Sequence, residues 1–190
     1  MGLAAGMVTD PDTDLVVRVG KGDRMAAQAL MARHSPAMLA LARRMLSGQA
    51  EAEDCVQEAF LKVWTHAAKW QPGKAKFETW LYRVVLNQCY DRLRKKVPEP
   101  LEAAADVADG ADPPDRALEV ADLAFAVDAA LKTLPERQRA ALLLCHYQER
   151  GNVEAAEMLG ISVEALESLL ARGRRTLRLK LAHLRTEEGG

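Results

Sequence analysis

Four arginines stand close together near the carboxyl end of the chain, within a segment that has the periodicity of a single helix. They are Arg172, Arg174, Arg175 and Arg178. A guanidinium group is planar, keeps its charge and donates hydrogen bonds in a fork, so it suits phosphate oxygens and the acceptor edge of guanine. The arginine pattern therefore favours contact with DNA.

The residues in front of these arginines have the pattern of a helix-turn-helix. Gly160 can enter the left-handed backbone region, and Ala156 is small enough to let two helices approach closely. Leu166 and Leu169 are apolar positions that would face the first helix. Residues 152–180 therefore predict two helices joined by a tight turn, with the arginines on the second helix.

A second group of residues combines aromatic rings with cations. Seven of the nine aromatic residues lie between Phe60 and Tyr90, interleaved with lysines and arginine. Flat rings can stack on bases that have left a duplex, and cations can follow the nucleic-acid backbone. A polar row also recurs at helical spacing, made of Arg83, Asn87, Asp91 and Arg94. On the residues alone, the alternative is that the rings form a core and the last cations oppose the helix dipole.

A third group lies on a helix that we predict over about residues 50–69. A polar stripe runs beside its apolar face at three- and four-residue spacing, and consists of Asp54, Gln57, Glu58 and Leu61. The stripe could dock on a basic partner helix through charge complementarity. An ordinary solvated helix face is the alternative.

The elements that must position these groups are all helices. Alanine and leucine dominate a chain that is 49% hydrophobic, while aromatic and β-branched residues are sparse. Asp23 has the pattern of a helix N-cap. Ser35-Pro36 predicts the start of another helix, which would end at Ser47-Gly48. Further helices are expected over about 77–96, 116–133 and 136–149.

Charge and composition divide the chain into two small helical domains. Residues 1–96 hold 15 Lys and Arg against 10 Asp and Glu, whereas residues 97–128 hold one against nine. The segment 97–115 is rich in proline, alanine and aspartate and lacks periodicity, which predicts a flexible acidic linker. The predicted organisation is a loose tail over 1–11, a first domain over 12–96, the linker, and a second domain over 116–186.

Several classes of function are not expected from this sequence. No apolar run approaches the roughly 20 residues of a membrane span, and no signal-peptide pattern opens the chain. Cys55, Cys89 and Cys145 are scattered, so we expect free thiols in a reducing cytoplasm and no metal site. We find no nucleophile–base pair and no Gly-rich phosphate loop, so neither an enzyme, a cofactor nor a small-molecule substrate is expected.

Taken in order, these motifs resemble those of an extracytoplasmic-function (ECF) sigma factor, the small two-domain class of bacterial transcription initiation subunit. The resemblance covers roughly residues 14–184. Four stretches carry it: EAEDCVQEAFLKVW (51–64), FETWLYRVVLNQCYDRLRK (77–95), LPERQRAALLLCHYQ (134–148) and LGISVEALESLLARGRRTLR (159–178).

The resemblance implies a role for each group of residues. Core RNA polymerase would be bound, at the clamp helices of its largest subunit, by Asp54, Gln57, Glu58 and Leu61. The −10 element of promoter DNA would be bound by Lys69, Trp70, Lys74, Lys76, Phe77, Arg83, Asn87, Asp91 and Arg94, with one flipped base held by the loop 69–76. The −35 element would be bound by Ser162, Glu167, Ser168, Arg172, Arg174 and Arg175. An anti-sigma factor is the expected regulator, since such proteins commonly hold this class inactive.

The first turns of the last helix depart from the family. Its members often carry lysine or arginine beside the serine, whereas here Glu164, Glu167 and Leu169 surround Ser168. An acid can accept from cytosine N4 but repels phosphates. Base reading would then shift toward Ser168, Arg172 and Arg174. The competing hypothesis for the whole chain is a helix-turn-helix regulator with an N-terminal sensing or dimerisation domain, which would bind an intact palindromic duplex.

Overall fold

The described residues of the computed structural model fold entirely into helices and turns, with no strand among them. They are residues 10–46, 48–71, 73, 75–95 and 116–182, with side chains described from 123 onward in the last range. The α-helices are α1 (Thr13–Gly20), α2 (Arg24–Met45), α3 (Gln49–His66), α4 (Phe77–Lys95), α5 (Arg116–Lys132), α6 (Glu136–Leu142), α7 (Asn152–Leu159) and α8 (Val163–Lys180). The predicted all-α fold is therefore confirmed.

Helices α1 to α4 pack around one hydrophobic core. The apolar faces of α2, α3 and α4 meet there, and the largest fully buried side chains include Leu30, Met38, Phe60 and Tyr82. Asp23 caps α2 as predicted, since its carboxylate accepts from the backbone N–H groups of Met25 and Ala26. These groups would otherwise be left unpaired at the first turn.

Helix α2 corrects the prediction that a helix starts at Ser35-Pro36. The helix runs without a break from Arg24 to Met45 and carries Pro36 in its interior. A proline inside a helix removes one backbone hydrogen bond and normally ends or kinks the helix. Here Leu30 and His34 before the proline and Met38 after it are buried on the same side. Burial of this helix face on both sides of Pro36 therefore outweighs the helix-start pattern of Ser35-Pro36.

The first residues that the structure describes bear on the prediction of a loose tail over 1–11, of which residues 1–9 lie outside the described residues. The Asp10 carboxylate accepts from the Phe77 backbone N–H at 2.6 Å and from the Asp12 N–H at 3.0 Å. Asp12 is itself buried, and its carboxylate contacts His34 Nε2 at 2.8 Å. Asp10 is therefore held against the first domain, because it pairs an N–H group at the start of α4 from this distant segment.

Helices α5 to α8 form a second group, and its buried residues join those of the first group in one hydrophobic cluster. Its buried side chains include Leu131, Leu143, Leu144, Leu166 and Leu170. The predicted helix over 136–149 is shorter as an α-helix and continues as one π-helical turn over Leu143–Tyr147. The predicted linker over 97–115 lies outside the described residues.

Candidate nucleic-acid and partner interfaces

The helix-turn-helix forms through local backbone chemistry. Helix α7 (Asn152–Leu159) ends at Gly160, which has φ 66° and ψ 38°, the left-handed conformation that glycine enters without strain. The Ser162 side chain then accepts from the Ala165 N–H at 3.2 Å and caps α8. The predicted turn is therefore confirmed in its position and its backbone geometry.

Gly173 brings α8 directly onto α6. A Cβ atom at this position would lie 2.8 Å from Leu142 Cδ1 and 3.3 Å from its Cγ. Leu166 and Leu170 are buried on the same side of α8. The opposite side of α8 is thereby turned toward solvent on a rigid support.

The solvent side of α8 carries the residues predicted to read the −35 element. Ser162, Glu167, Ser168, Arg172, Arg174 and Arg175 are all exposed. Ser168, Arg172 and Arg175 share one face, because they are spaced by four and three residues. Arg174 is two residues from Arg172, which turns it away by about 200°. Its guanidinium group instead contacts His146 Nε2 at 3.3 Å, so Arg174 stands apart from the other arginines.

Glu164 has a structural role at the start of α8. Its own backbone N–H and the Ser162 side chain hydrogen-bond to it and hold the pKa of its carboxyl below the usual value. A charged acid is favourable at a helix N-terminus. The acid that departs from the family pattern is therefore explained by capping. Nothing in the described structure gives Glu167 a comparable partner.

A cavity of about 380 Å³ opens where α3 leads into α4. Its walls are formed by His66, Lys69, Trp70, Gln71, Ala75, Trp80 and Arg83. Two indole rings beside two cations suit an unstacked base and its phosphate. The structure thus brings together Lys69, Trp70 and Arg83, which the sequence analysis singled out. His66 and Trp80 also line the cavity, although they were not among the predicted site residues. Trp80 could have been predicted, because its three-residue spacing from Arg83 puts the two on the same face of one helix.

The polar row on α4 is exposed along its whole length, at Arg83, Asn87, Asp91 and Arg94. Arg94 forms an ion pair with Asp91 at 3.5 Å, so these two partly neutralise each other. The row begins at the cavity, because Arg83 belongs to both. This continuous surface is suited to contact both base edges and the nucleic-acid backbone.

Of the residues predicted to contact −10 DNA, one is buried and one lies outside the described residues. Phe77 is fully buried, with its ring against His34 at 5.4 Å and Trp80 at 6.0 Å between centroids. The ring therefore supports the first domain and the cavity wall in this structure, and its assignment as a direct DNA contact stays a prediction that this burial disfavours. Lys74 lies outside the described residues.

The stripe on α3 is exposed as predicted. Asp54, Gln57, Glu58 and Leu61 face solvent, and Leu61 is 62% exposed despite being apolar. Glu58 is tied to α4 through an ion pair with Arg92 at 2.9 Å. All four members thus lie on the outer side of a helix whose other side is packed in the core. Such a surface suits a protein partner better than a ligand.

Comparison with known proteins decides the family. Residues 30–98 match the family model for Sigma-70 region 2, and residues 124–177 match that for Sigma-70, region 4. The chain is 32% identical to the ECF RNA polymerase sigma factor SigW of Bacillus subtilis, over 89% of this chain and 96% of that protein. The chain belongs to the ECF RNA polymerase sigma factors.

Other relatives agree with this membership of the sigma factors. The ECF RNA polymerase sigma factor SigM of Mycobacterium tuberculosis (strain H37Rv) is 34% identical, over 92% of this chain and 87% of that protein. Among solved structures, CnrH in complex with the cytosolic domain of CnrY matches with a TM-score of 0.69 and 27% identity, over 90% of this chain and 97% of that one. Sigma factors are transcription initiation factors rather than enzymes.

The two halves of this sigma factor are in contact. The buried Arg139 donates to the carbonyl oxygen of Met45, the last residue of α2, at 2.6 Å. The Tyr82 hydroxyl donates to Gln148 Oε1 at 3.0 Å. Arg44 lies over the Tyr147 ring, 4.4 Å from its centroid. These contacts therefore hold the two halves against each other.

Among the described residues of this sigma factor, no group of three or more His, Cys, Asp or Glu side chains is arranged to hold a metal ion. None of the helices in the described ranges combines the length and the apolar character needed to cross a membrane. The buried Cys55 and Cys89 thiols lie 3.6 Å apart between α3 and α4, and the hydrogen bond with Cys55, together with burial, raises the pKa of Cys89.

Proposed function

We propose that this chain directs core RNA polymerase to promoters by binding two DNA elements with its two helical halves. The observation that carries the proposal is the pairing of a ring-and-cation cavity at α3–α4 with an exposed arginine face on α8. A cavity that can hold one unstacked base suits melted DNA, whereas a helix-turn-helix suits a duplex. A conventional regulator has no use for the cavity, because it binds DNA that stays paired.

In this proposal the first half, residues 12–96 together with Asp10, binds the polymerase and the −10 element. Lys69, Trp70 and Arg83 would hold a flipped base, and Lys76 its backbone. Asn87, Asp91 and Arg94 would contact the upstream edge of the element. Phe77 would support these residues from the core rather than contact DNA.

The second half, residues 116–186, would bind the −35 element. Ser168, Arg172 and Arg175 share the exposed face of α8 and are the proposed base-reading and phosphate-binding residues. Ser162 and Glu167 flank this face, and Arg174 would reach only the neighbouring backbone. The segment 97–115 would connect the two halves.

Two partners complete the proposal. Asp54, Gln57 and Leu61 would dock on the clamp helices of the polymerase, with Glu58 positioned by Arg92. An anti-sigma factor would regulate the chain in the cytoplasm, and the similar structure of CnrH was likewise solved with a second protein bound, the cytosolic domain of CnrY.

Run-off transcription with purified core polymerase tests the proposal. Promoters are first mapped by sequencing the transcripts induced when this chain is overproduced, which supplies both DNA elements. We expect specific transcripts only when the chain and core polymerase are both present. Equal product without the chain would refute the proposal, and binding to a palindromic duplex as a dimer would favour the regulator.

A further inference from the structure

The first residues that the structure describes contact both ends of the segment that joins α3 to α4. This joining segment carries Trp70, Gln71 and Ala75, which line the cavity proposed to hold a flipped base. Residues 10–20, which comprise Asp10 and α1, lie against the start of the joining segment and against the first residue after it. We call residues 10–20 the strap.

Helix α1 contacts the start of the joining segment through its backbone. Gly20, the last residue of α1, faces the turn Ala67–Lys69 so closely that a Cβ atom would lie 3.0 Å from Ala68 Cα and 3.2 Å from the carbonyl carbon of Ala67. Glycine permits this approach because it has no Cβ atom. The Trp70 N–H donates to the carbonyl oxygen of Ala67 at 3.1 Å. The turn that α1 supports is therefore bonded directly to a cavity wall.

Asp10 contacts the other end of the joining segment, where α4 begins. Its carboxylate accepts from the Phe77 N–H at 2.6 Å. This N–H belongs to the first turn of a helix, where backbone donors have no partner within the helix and a negative charge is favourable. The second oxygen of the same carboxylate accepts from the Asp12 N–H at 3.0 Å, which orients it. The bond to Phe77 therefore fixes the point where the joining segment ends.

The strap is itself anchored in the core of the first domain. Asp12 is buried, and its carboxylate contacts His34 Nε2 on α2 at 2.8 Å. The His34 ring packs against the Phe77 ring, which in turn packs against Trp80 of the cavity wall. The strap and the cavity are therefore supported by the same part of the core.

We propose that the strap positions the cavity for a flipped base, with Asp10 and Gly20 as positioning residues that do not touch DNA. The inference rests on the proposed function of the cavity. A cavity wall that samples several positions binds weakly, because only the competent fraction of molecules binds. Contacts at both ends of the joining segment restrict these positions, and such preorganisation strengthens binding without adding a contact to the ligand. The proposed −35 surface lies on α8, so loss of the strap contacts should leave it unchanged.

The test compares two variants at Asp10. Asp10→Ala removes the acceptor for the Phe77 N–H, whereas Asp10→Asn keeps an oxygen that can accept and removes only the charge. Gly20→Ala perturbs the other end, because its Cβ would press on the backbone of the turn. Asp14→Ala is the matched control, because it removes an exposed acid of α1 that pairs with Arg18 rather than with the joining segment.

Each full-length variant is assembled with core polymerase, after circular dichroism has shown that it folds. Fluorescence anisotropy then compares three labelled probes: a single strand with the −10 element of a mapped promoter, the same strand with that element scrambled, and a duplex with the −35 element alone. We expect Asp10→Ala and Gly20→Ala to bind the −10 strand roughly 5- to 10-fold more weakly and the other two probes unchanged. Asp10→Asn and Asp14→Ala should stay within about 2-fold of the wild type on every probe.

The outcomes separate the two proposals. Equal binding of the −10 strand by wild type, Asp10→Ala and Gly20→Ala would overturn the positioning role and leave the −10 surface in place. Equal losses on all three probes would also overturn it, because a general loss of assembled protein would then explain the effect. So would a loss in Asp10→Asn as large as that in Asp10→Ala, since the charge and not the hydrogen bond would then matter.

The wild type provides the test of the −10 surface itself. If it does not prefer the −10 strand over the scrambled strand, the −10 surface is refuted, and the positioning role with it. If Gly20→Ala does not fold, the comparison of Asp10→Ala with Asp10→Asn decides alone.

Discussion

Arg139 is the residue whose removal should show most directly that the two halves stabilise each other. Its guanidinium donates to Met45 O in the first half at 2.6 Å and to Leu134 O in the second at 3.2 Å, and it also contacts Lys132 O. Burial lowers its pKa from the ordinary value, but a guanidinium remains charged at neutral pH. The perturbation is Arg139→Met, which keeps an unbranched apolar side chain and removes every donor.

The expected cost follows from these carbonyl groups. Each hydrogen bond to a charged donor contributes about 1.5–3 kcal/mol, so three bonds represent about 4.5–9 kcal/mol. Burying a cation costs several kcal/mol, and methionine no longer incurs that cost. Part of the loss is therefore recovered, but up to three carbonyls are left without this donor. We expect a net loss of about 2–4 kcal/mol in the free energy of unfolding.

Urea unfolding followed by circular dichroism measures this loss. Arg137→Met is the matched control, because Arg137 lies two residues away on α6 and is exposed. We expect the control to change stability by less than about 0.5 kcal/mol. A loss below about 1 kcal/mol for Arg139→Met would refute the reasoning, since the donors would then contribute no more than a surface contact.

Four further predictions test the caps and the proposed interfaces. Hydrogen bonds from the Ala26 N–H, Arg18 and the Met25 N–H hold the pKa of Asp23 below the ordinary 3.8. The Asp23 carboxylate therefore stabilises the fold above pH 3.8, and this stabilisation is lost as the pH falls through the folded-state pKa. Thermal midpoints of wild type and Asp23→Ala should then differ at about pH 6 and converge near about pH 2. Gly160→Ala should lower stability by about 1–2 kcal/mol, measured in urea, because alanine is strained in the left-handed region. Asp54→Lys with Gln57→Ala should weaken binding to core polymerase in a pull-down while the fold persists. Arg172→Ala should lower binding to a −35 duplex by about 1–3 kcal/mol, measured by fluorescence anisotropy.

Matched variants control these predictions. Gly151→Ala should be nearly neutral, because Gly151 has φ −62° and open space around its Cβ position; a cost equal to that of Gly160→Ala would contradict the strain argument. Asp14→Lys places the same charge change on α1, and an equal loss of polymerase binding there would remove the α3 assignment. A loss for Arg172→Ala that is uniform over all DNA sequences would make Arg172 a phosphate contact. Midpoints of Asp23→Ala that fail to converge with wild type in acid would show that the carboxylate contributes nothing through its charge.

The residues near one another in sequence were enough to predict the helical elements. Gly160, Ser162 and Asp23 act on backbone groups within a few positions, so their turn and caps are as expected. The periodicity of α3 likewise predicted which side chains face solvent. Pro36 is the exception, since burial of the helix on both sides of it overrides the local signal.

Only the tertiary structure decided which residues far apart in sequence contact each other. Asp10 pairs with Phe77, Phe77 is enclosed by His34 and Trp80, and Arg139 reaches Met45 across 94 positions. No helical periodicity or capping rule connects residues so far apart. The chain by itself determined two helical halves with surfaces suited to DNA. The folded structure decided what supports one of these surfaces, because Asp10 and Gly20 meet the two ends of the segment between α3 and α4 only when α1 packs against α2 and α3.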